Sequence, residues 1–258
     1  MNYWKKSWKR WLVWTALVAL FATACVLLSE WQFHRRAEKL VEISIVQKNY
    51  DAPAVPVDQL LNNDRAAEVK WRPVLIEGRY LTGESLLLRN RPLNGQPGFE
   101  QIVPFEYEGG LLLIDRGWLP TGSKQDSPDI NPMPSDSQQT IVVRLLPSEN
   151  NSGRSAPDGQ LADLNLTKAA AITGLPINTK WYGRVTQFEK APMALPKPAA
   201  DEGNHLSYAV QWLVFGAMAF AFLAYTIRTE WRFAKGIAPK RKQRRSDRDA
   251  AEEDQLLE

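Results

Sequence analysis

Charge is missing from two long stretches of this chain, Trp11 to Leu28 (18 residues) and Leu206 to Ile227 (22 residues), and apolar side chains dominate both. An α-helix rises about 1.5 Å per residue, so the runs reach roughly 27 and 33 Å, against a bilayer hydrocarbon core of about 30 Å. A soluble core helix of that length would carry a polar stripe, and neither run has one. Each is expected to cross a membrane. Beyond the first run, Glu30 to Asn49 holds no Pro or Gly and many good helix formers. The first helix should therefore continue for several turns, until Pro53 and Pro56 stop it.

From Lys70 onward the pattern changes to short apolar segments separated by turn residues. Strands are expected at Pro73–Tyr80, Ser85–Arg91, Phe99–Tyr107, Leu111–Asp115, Ile141–Leu146 and Trp181–Phe188. Glu108-Gly109-Gly110 reads as a hairpin turn between the third and fourth. Val57 to Leu61 is read as a helical turn or two, and Thr167–Thr173 as a short helix stopped by Gly174 and Pro176. Residues 119–138 and 148–160 are polar loops. Six strands, mostly at hairpin spacing with little helix between them, point to a small antiparallel barrel or sandwich. The predicted class is a membrane protein of α+β type, with two transmembrane helices flanking one β-rich extracytoplasmic domain. The expected division is a cytoplasmic N-terminus (1–10), helix one (11–28), the outer domain (29–205), helix two (206–227) and a charged cytoplasmic tail (228–258), partly disordered.

Charge sets the orientation. Residues 1–10 carry Lys5, Lys6, Lys9 and Arg10 and no acid, and residues 228–248 carry nine basic residues against Glu230 and Asp247. The stretch 29–205 has 19 basic and 22 acidic residues. Basic flanks stay inside, so both termini are placed in the cytoplasm of a multi-pass protein. Trp4, Trp8, Trp11 and Trp14 gather at one boundary of the first helix and Trp31 lies past the other, as an interfacial belt would. The net charge of +3 comes from these flanks and is not read as a nucleic-acid signal. The only cysteine, Cys25, lies inside the first apolar run, so the outer domain has neither disulfide nor thiolate metal site. Ala22-Thr23-Ala24-Cys25 resembles a lipoprotein cleavage site, but Ala22 stands where a larger residue is usual, and the apolar run continues through Val26-Leu27-Leu28. With no Arg- and Ser-rich leader ahead of the helix, a bacterial cell membrane is the expected location.

Enzyme signatures are not found. Asn94-Gly95-Gln96-Pro97-Gly98 has glycines, but its proline and the lack of a following helix rule out a phosphate loop. A Ser-His-Asp arrangement would need one of two histidines, both near the membrane. Asp115-Arg116-Gly117-Trp118 is read as a structural corner closing the core, with a contact site as the alternative. On the second helix, His205, Tyr208, Ala209, Trp212 and Gly216 fall on one face at 100° per residue. An imidazole, aromatic walls and small residues could receive a flat apolar ligand with a central metal. The same residues also suit an interfacial belt and close helix packing. Gln211 lies off this face and is expected to bond a neighbouring helix.

Three separated segments resemble the surfeit-locus cytochrome c oxidase assembly proteins. They are Trp31-Gln32 with Arg35; Glu77-Gly78-Arg79-Tyr80, Leu88-Arg89-Asn90-Arg91, Gly98, Val103-Pro104-Phe105 and Asp115 to Pro120 in order; and Asn204 to Trp212. The resemblance implies a non-enzymatic assembly factor for the haem-copper oxidase, with oxidase subunits, other assembly factors and the lipid bilayer as partners. It implies haem a as the cofactor and His205 as the ligand to its iron, which makes Tyr208 and Trp212 the neighbouring cofactor-binding residues. His34 gains no role from it. The alternative is a membrane-anchored scaffold that binds only protein partners and no haem.

Overall fold

The structure, a computed structural model, describes residues 3–61, 66–187 and 192–237. Residues 238–258 of the charged tail, the basic cluster 240–248 among them, lie outside the described residues, as does Phe188 at the end of the last expected strand. The chain divides into two compact units, Met1–Glu38 with Glu202–Glu258, and Lys39–Asp201.

The first unit holds the two apolar helices, α1 (Tyr3–Asn49) and α5 (His205–Ala234). Both are long and apolar enough to cross a membrane. Each exceeds its uncharged run, because good helix formers continue past the apolar boundary. The last turns of α1, from Lys39, belong to the second unit. There Val46 is buried, and Asn49 donates to the carbonyls of Ala67 and Lys70 at 2.9 and 2.8 Å. The helix thus ends on a side chain that satisfies two carbonyls, ahead of the prolines.

The second unit is a mixed sheet with small helices. Its strands are β1 (Val55–Pro56), β2 (Pro73–Tyr80), β3 (Leu86–Leu88), β4 (Gly98–Tyr107), β5 (Gly110–Pro120), β6 (Gln139–Pro147), β7 (Gln160–Leu161) and β8 (Trp181–Val185). The helices are α2 (Asp58–Leu61), α3 (Ala66–Val69) and α4 (Leu166–Thr173), with a 3-10 turn at Thr82–Glu84. Asn165 caps α4 by accepting from the Lys168 amide, and Gly174 ends it in the left-handed region. The strand order is β1-β2-β6-β8-β5-β4-β3-β7, and β2 also pairs with β4. The pairings β2–β6–β8–β5–β4 therefore run round a circuit back to β2. It closes at Gly78, which is opposite Gln139 on one side and Tyr107 on the other. A Cβ at Gly78 would lie 2.0 Å from the Glu106 carbonyl oxygen, so only glycine lets the strands approach there.

The expectation of an antiparallel sheet needs correction. Three pairings are parallel: β1–β2, β3–β7 and β5–β8. The hairpin rule holds for β4–β5, joined by a tight turn. It does not govern β8, which reaches β5 only after β6, β7 and α4 have intervened.

Two apolar cores lie on opposite faces of β4 and β5. Ile102 and Leu113 join Trp71, Leu88, Leu164 and Tyr182 on one face. Val103, Phe105, Leu112 and Ile114 join Ile76 and Val143 on the other. The first eight residues of β4 are consequently all buried, the polar Glu100 and Gln101 included. By contrast β2 alternates, with one face toward water.

The Asp115–Trp118 segment is not a strand end. β5 runs straight through it to Pro120. The irregularity is a bulge: pairing shifts register between Glu100 and Ile102, and Gly117 adopts φ 121°. Trp118 is buried and its Nε1 donates to the Arg91 carbonyl at 2.6 Å.

Candidate functional site

Within the first unit, α1 and α5 run antiparallel and share one seam. On α1 it passes through Trp14, Val18, Ala22, Cys25, Ser29 and Gln32, spaced three or four apart and all at least half-buried. On α5 it passes through His205, Ala209, Trp212, Gly216 and Leu223. Small side chains let the helices close: a Cβ on Gly216 would sit 3.6 Å from Cys25 Cβ and 4.0 Å from Ala22 Cα. Ala209 and Gly216 thus face α1.

Polar rungs cross the seam at both ends. Arg10 donates to Glu230 at 2.8 Å, and Trp11 Nε1 donates to the same carboxylate at 2.6 Å. At the other end, Ser29 Oγ donates to the Ala209 carbonyl at 3.0 Å, His205 Nδ1 lies 2.8 Å from Gln32 Oε1, and Arg36 donates to Glu202 at 2.7 Å. Ser29, Gln32 and Arg36 of α1 meet, in reverse order, Ala209 and His205 of α5 and Glu202 in the turn before it, so the three rungs fix one register.

His205 is the first residue of α5 and is half-buried. The ring atom that faces Gln32 is Nδ1. Nε2 has no hydrogen-bond partner among the described residues. The turn before it contains Gly203 at φ 68°, where a Cβ would sit 3.7 Å from Nε2. Glycine takes this left-handed conformation without strain, and its missing Cβ leaves that ring edge uncovered. Trp212 is half-buried and meets Phe215 edge-on at 5.8 Å between centroids. Tyr208 is 51% exposed and stands on the outer flank of the pair. His34 follows Gln32 by two residues, about 200° round the helix, and is exposed. An imidazole nitrogen without a partner is a group that could serve as a nitrogen ligand to a haem iron, so His205 is the residue here that would hold one. Among the described residues no group of three His, Cys, Asp or Glu could hold a metal ion.

A second polar cluster lies in the sheet unit. Asp115 is fully buried; its Oδ1 accepts from the Gly117 amide at 2.9 Å and its Oδ2 from Arg184 Nε at 2.7 Å. Glu100 is buried beside it, with Arg184 at 3.7 Å and Arg91 at 3.8 Å. Arg91 also pairs with Glu149 at 2.7 Å. Burial, reinforced by the Asp115 charge, pushes the Glu100 carboxyl up to about 7 against the pull of the two guanidiniums. Burial likewise pushes the Tyr182 hydroxyl up. Three carboxylates face two guanidiniums, so a proton on Glu100 balances the cluster. This network ties β4, β5 and β8 together.

Sequence reasoning singled out His205, Trp31-Gln32 and Arg35 separately. It missed that Gln32 meets His205 and that Arg36, rather than Arg35, reaches Glu202 in the turn before α5. Arg35 pairs with Glu38 along α1, and Trp31 is 54% exposed. The available signal was the common spacing of Ser29, Gln32 and Arg36.

Comparison with known proteins gives a consistent result. Residues 19–217 match the model of the SURF1 family. An uncharacterized SURF1-like protein of Mycobacterium tuberculosis is 31% identical over 231 residues, covering 86% of this chain and 85% of the relative. A SURF1-like protein of Rickettsia conorii is 24% identical over 236 residues, covering 87% and 94%. The cytochrome oxidase assembly protein SHY1 of Saccharomyces cerevisiae is 27% identical over 94 residues, covering 36% of this chain and 24% of the yeast protein.

Proposed function

This chain belongs to the SURF1 family, and on that footing we propose that it is a membrane-anchored, non-catalytic assembly factor for cytochrome c oxidase that holds haem a through His205. The likeness to SHY1, named as a cytochrome oxidase assembly protein, supports the assembly role. The observation that carries the haem reading is the state of His205: Nδ1 is engaged by Gln32 and Nε2 is without a partner at the exposed head of α5. When bound, haem a would bring an iron that takes an axial nitrogen. The chain supplies that nitrogen, with Trp212 and Tyr208 as aromatic flank. Both termini are cytoplasmic, and the β-rich unit lies outside a bacterial cell membrane. The positive-inside rule and the antiparallel run of α1 and α5 support that orientation. We read the circuit of strand pairings as a small barrel that presents its surface to oxidase subunits and other assembly factors.

The test compares the unmodified protein, His205→Ala and His34→Ala, purified at equal yield from a host that makes haem a. The absorption spectrum should show that His205→Ala loses most of the bound haem and that His34→Ala keeps it. Equal haem in His205→Ala would remove the ligand assignment. An unmodified protein that carries no haem while still restoring oxidase assembly would favour a scaffold that binds only proteins.

A further inference from the structure

We propose that Gln32 is the positioning residue for His205: its side-chain oxygen holds the proton on Nδ1 and so leaves the Nε2 lone pair as the atom offered to a ligand. This rests on the reading of His205 as a haem ligand and extends it to a residue on the other helix.

The geometry carries the assignment. His205 Nδ1 and Gln32 Oε1 are 2.8 Å apart, an ordinary hydrogen-bond length. An oxygen cannot donate, so the contact requires Nδ1–H, and a neutral ring then has its lone pair on Nε2. An imidazole in water prefers the opposite tautomer, with the proton on Nε2 and no lone pair there for a metal. Gln32 therefore selects the form that can bind. Metal-binding histidines generally donate their other N–H to a fixed acceptor, which sets both tautomer and ring orientation.

Gln32 is in turn held in place. One turn away on one side, Ser29 Oγ bonds the Ala209 carbonyl; one turn away on the other, Arg36 clasps Glu202 with two hydrogen bonds of 2.7 and 3.0 Å. These rungs prevent α1 from sliding or turning against α5 by a residue. Gly203 leaves the Nε2 edge of the ring clear. The chain thus builds an acceptor behind the ring and an opening in front of it, from two helices remote in sequence.

The test uses the full-length protein in lipid nanodiscs, with histidine labelled with nitrogen-15 and no haem added. The chain has only two histidines, so His34→Ala leaves one set of ring signals, those of His205. On that background the ring should show Nδ1–H. Gln32→Leu should shift it to Nε2–H, and the isosteric Gln32→Glu, which still accepts, should keep Nδ1–H. Titration with haem a should then show a dissociation constant ten- to a hundredfold higher, roughly, for Gln32→Leu. Gln32→Glu should retain haem, with a lower iron reduction potential because a carboxylate makes the imidazole a stronger donor. A merely structural role for Gln32 would not move the tautomer and the potential in this pattern. Finding Nε2–H in the His34→Ala background, or no change of tautomer in Gln32→Leu, would overturn the assignment. So would wild-type haem affinity in Gln32→Leu while His205→Ala has lost it. If His205→Ala itself binds haem normally, the ligand reading fails, and the tautomer measurements identify that failure as separate from the Gln32 contact.

Discussion

Replacing Glu100 by Gln should remove a pH-dependent component from the stability of the β-rich unit. Glu100 is buried on β4 with Arg91 and Arg184 no nearer than 3.7 Å and Asp115 beside it. Its carboxyl is pushed up to about 7 from an ordinary 4.5, chiefly by burial. The folded protein therefore keeps a proton through a range where the unfolded chain has lost it. Between about pH 4.5 and 7 the native state binds more protons, so stability falls as pH rises, by up to about 1.4 kcal/mol per pH unit. The full contribution is present below about 4.5 and is lost once pH passes 7, a total of about 3 kcal/mol. Asp163 behaves in the opposite sense. Hydrogen bonding from the Ser152 hydroxyl lowers it to about 2, so its stabilisation is lost only as pH falls below about 4, outside this window. The assay is pulse proteolysis of the full-length protein across a urea series at pH 5, 6, 7 and 8. The unmodified protein should lose stability across the series relative to Glu100→Gln, which mimics the protonated carboxyl at every pH. Parallel curves for the two proteins would refute the assignment of a buried, protonated Glu100.

Gly98→Ala should destabilise the same unit by about 1–3 kcal/mol, the usual range for overpacking. The new Cβ would lie 2.4 Å from the Trp118 ring and 2.5 Å from the Leu119 carbonyl, and the bonded, buried Trp118 cannot move away. An unchanged urea midpoint would contradict that packing. Reporter fusions after Glu30 and near Asp129 should be active outside the cytoplasm, and a fusion at the C-terminus should report inside. A C-terminus found outside would remove the two-span reading.

How far the fold could be read from sequence depended on how local each cause was. The α1 and α5 spans follow from a run length and the absence of charge, both properties of contiguous residues. The β4–β5 hairpin follows from Gly109-Gly110 between two apolar runs. Asn165 and Gly174 delimit α4 by their own backbone and side-chain chemistry. The parallel pairing of β5 with β8 had no such local cause. It joins Ile114 to Gly183 across 69 residues, and Gly183 is needed there because a Cβ would meet Val143 and Ile114 side chains at 2.6 and 2.8 Å. The two-residue strands β1 and β7 are too short to have a period at all. Asp115-Arg116-Gly117-Trp118 was recognisable as distinctive, but its role as a bulge depends on the register of β4, which the segment itself does not encode.

The same limit explains what could be seen of the site. Helical periodicity placed His205, Tyr208, Ala209, Trp212 and Gly216 on one side of α5; four of them line the seam, while Tyr208 is exposed at its flank. Periodicity cannot say what faces that side. An apolar ligand and a neighbouring helix both favour small and aromatic residues, so Ala209 and Gly216 were compatible with either. The structure sets α1 against both, through Cys25 and Ala22 at Gly216 and through Ser29 at Ala209. What distinguishes His205 is therefore not the shared face but its position at the end of it. There the seam changes from apolar packing to hydrogen-bonded rungs, and there the ring has one nitrogen engaged and the other without a partner. That asymmetry arises from Gln32, 173 residues earlier in the chain. It is also why Gln32→Leu and His205→Ala, on different helices, should weaken the same haem complex, while His34, only two residues from Gln32, should not matter to it.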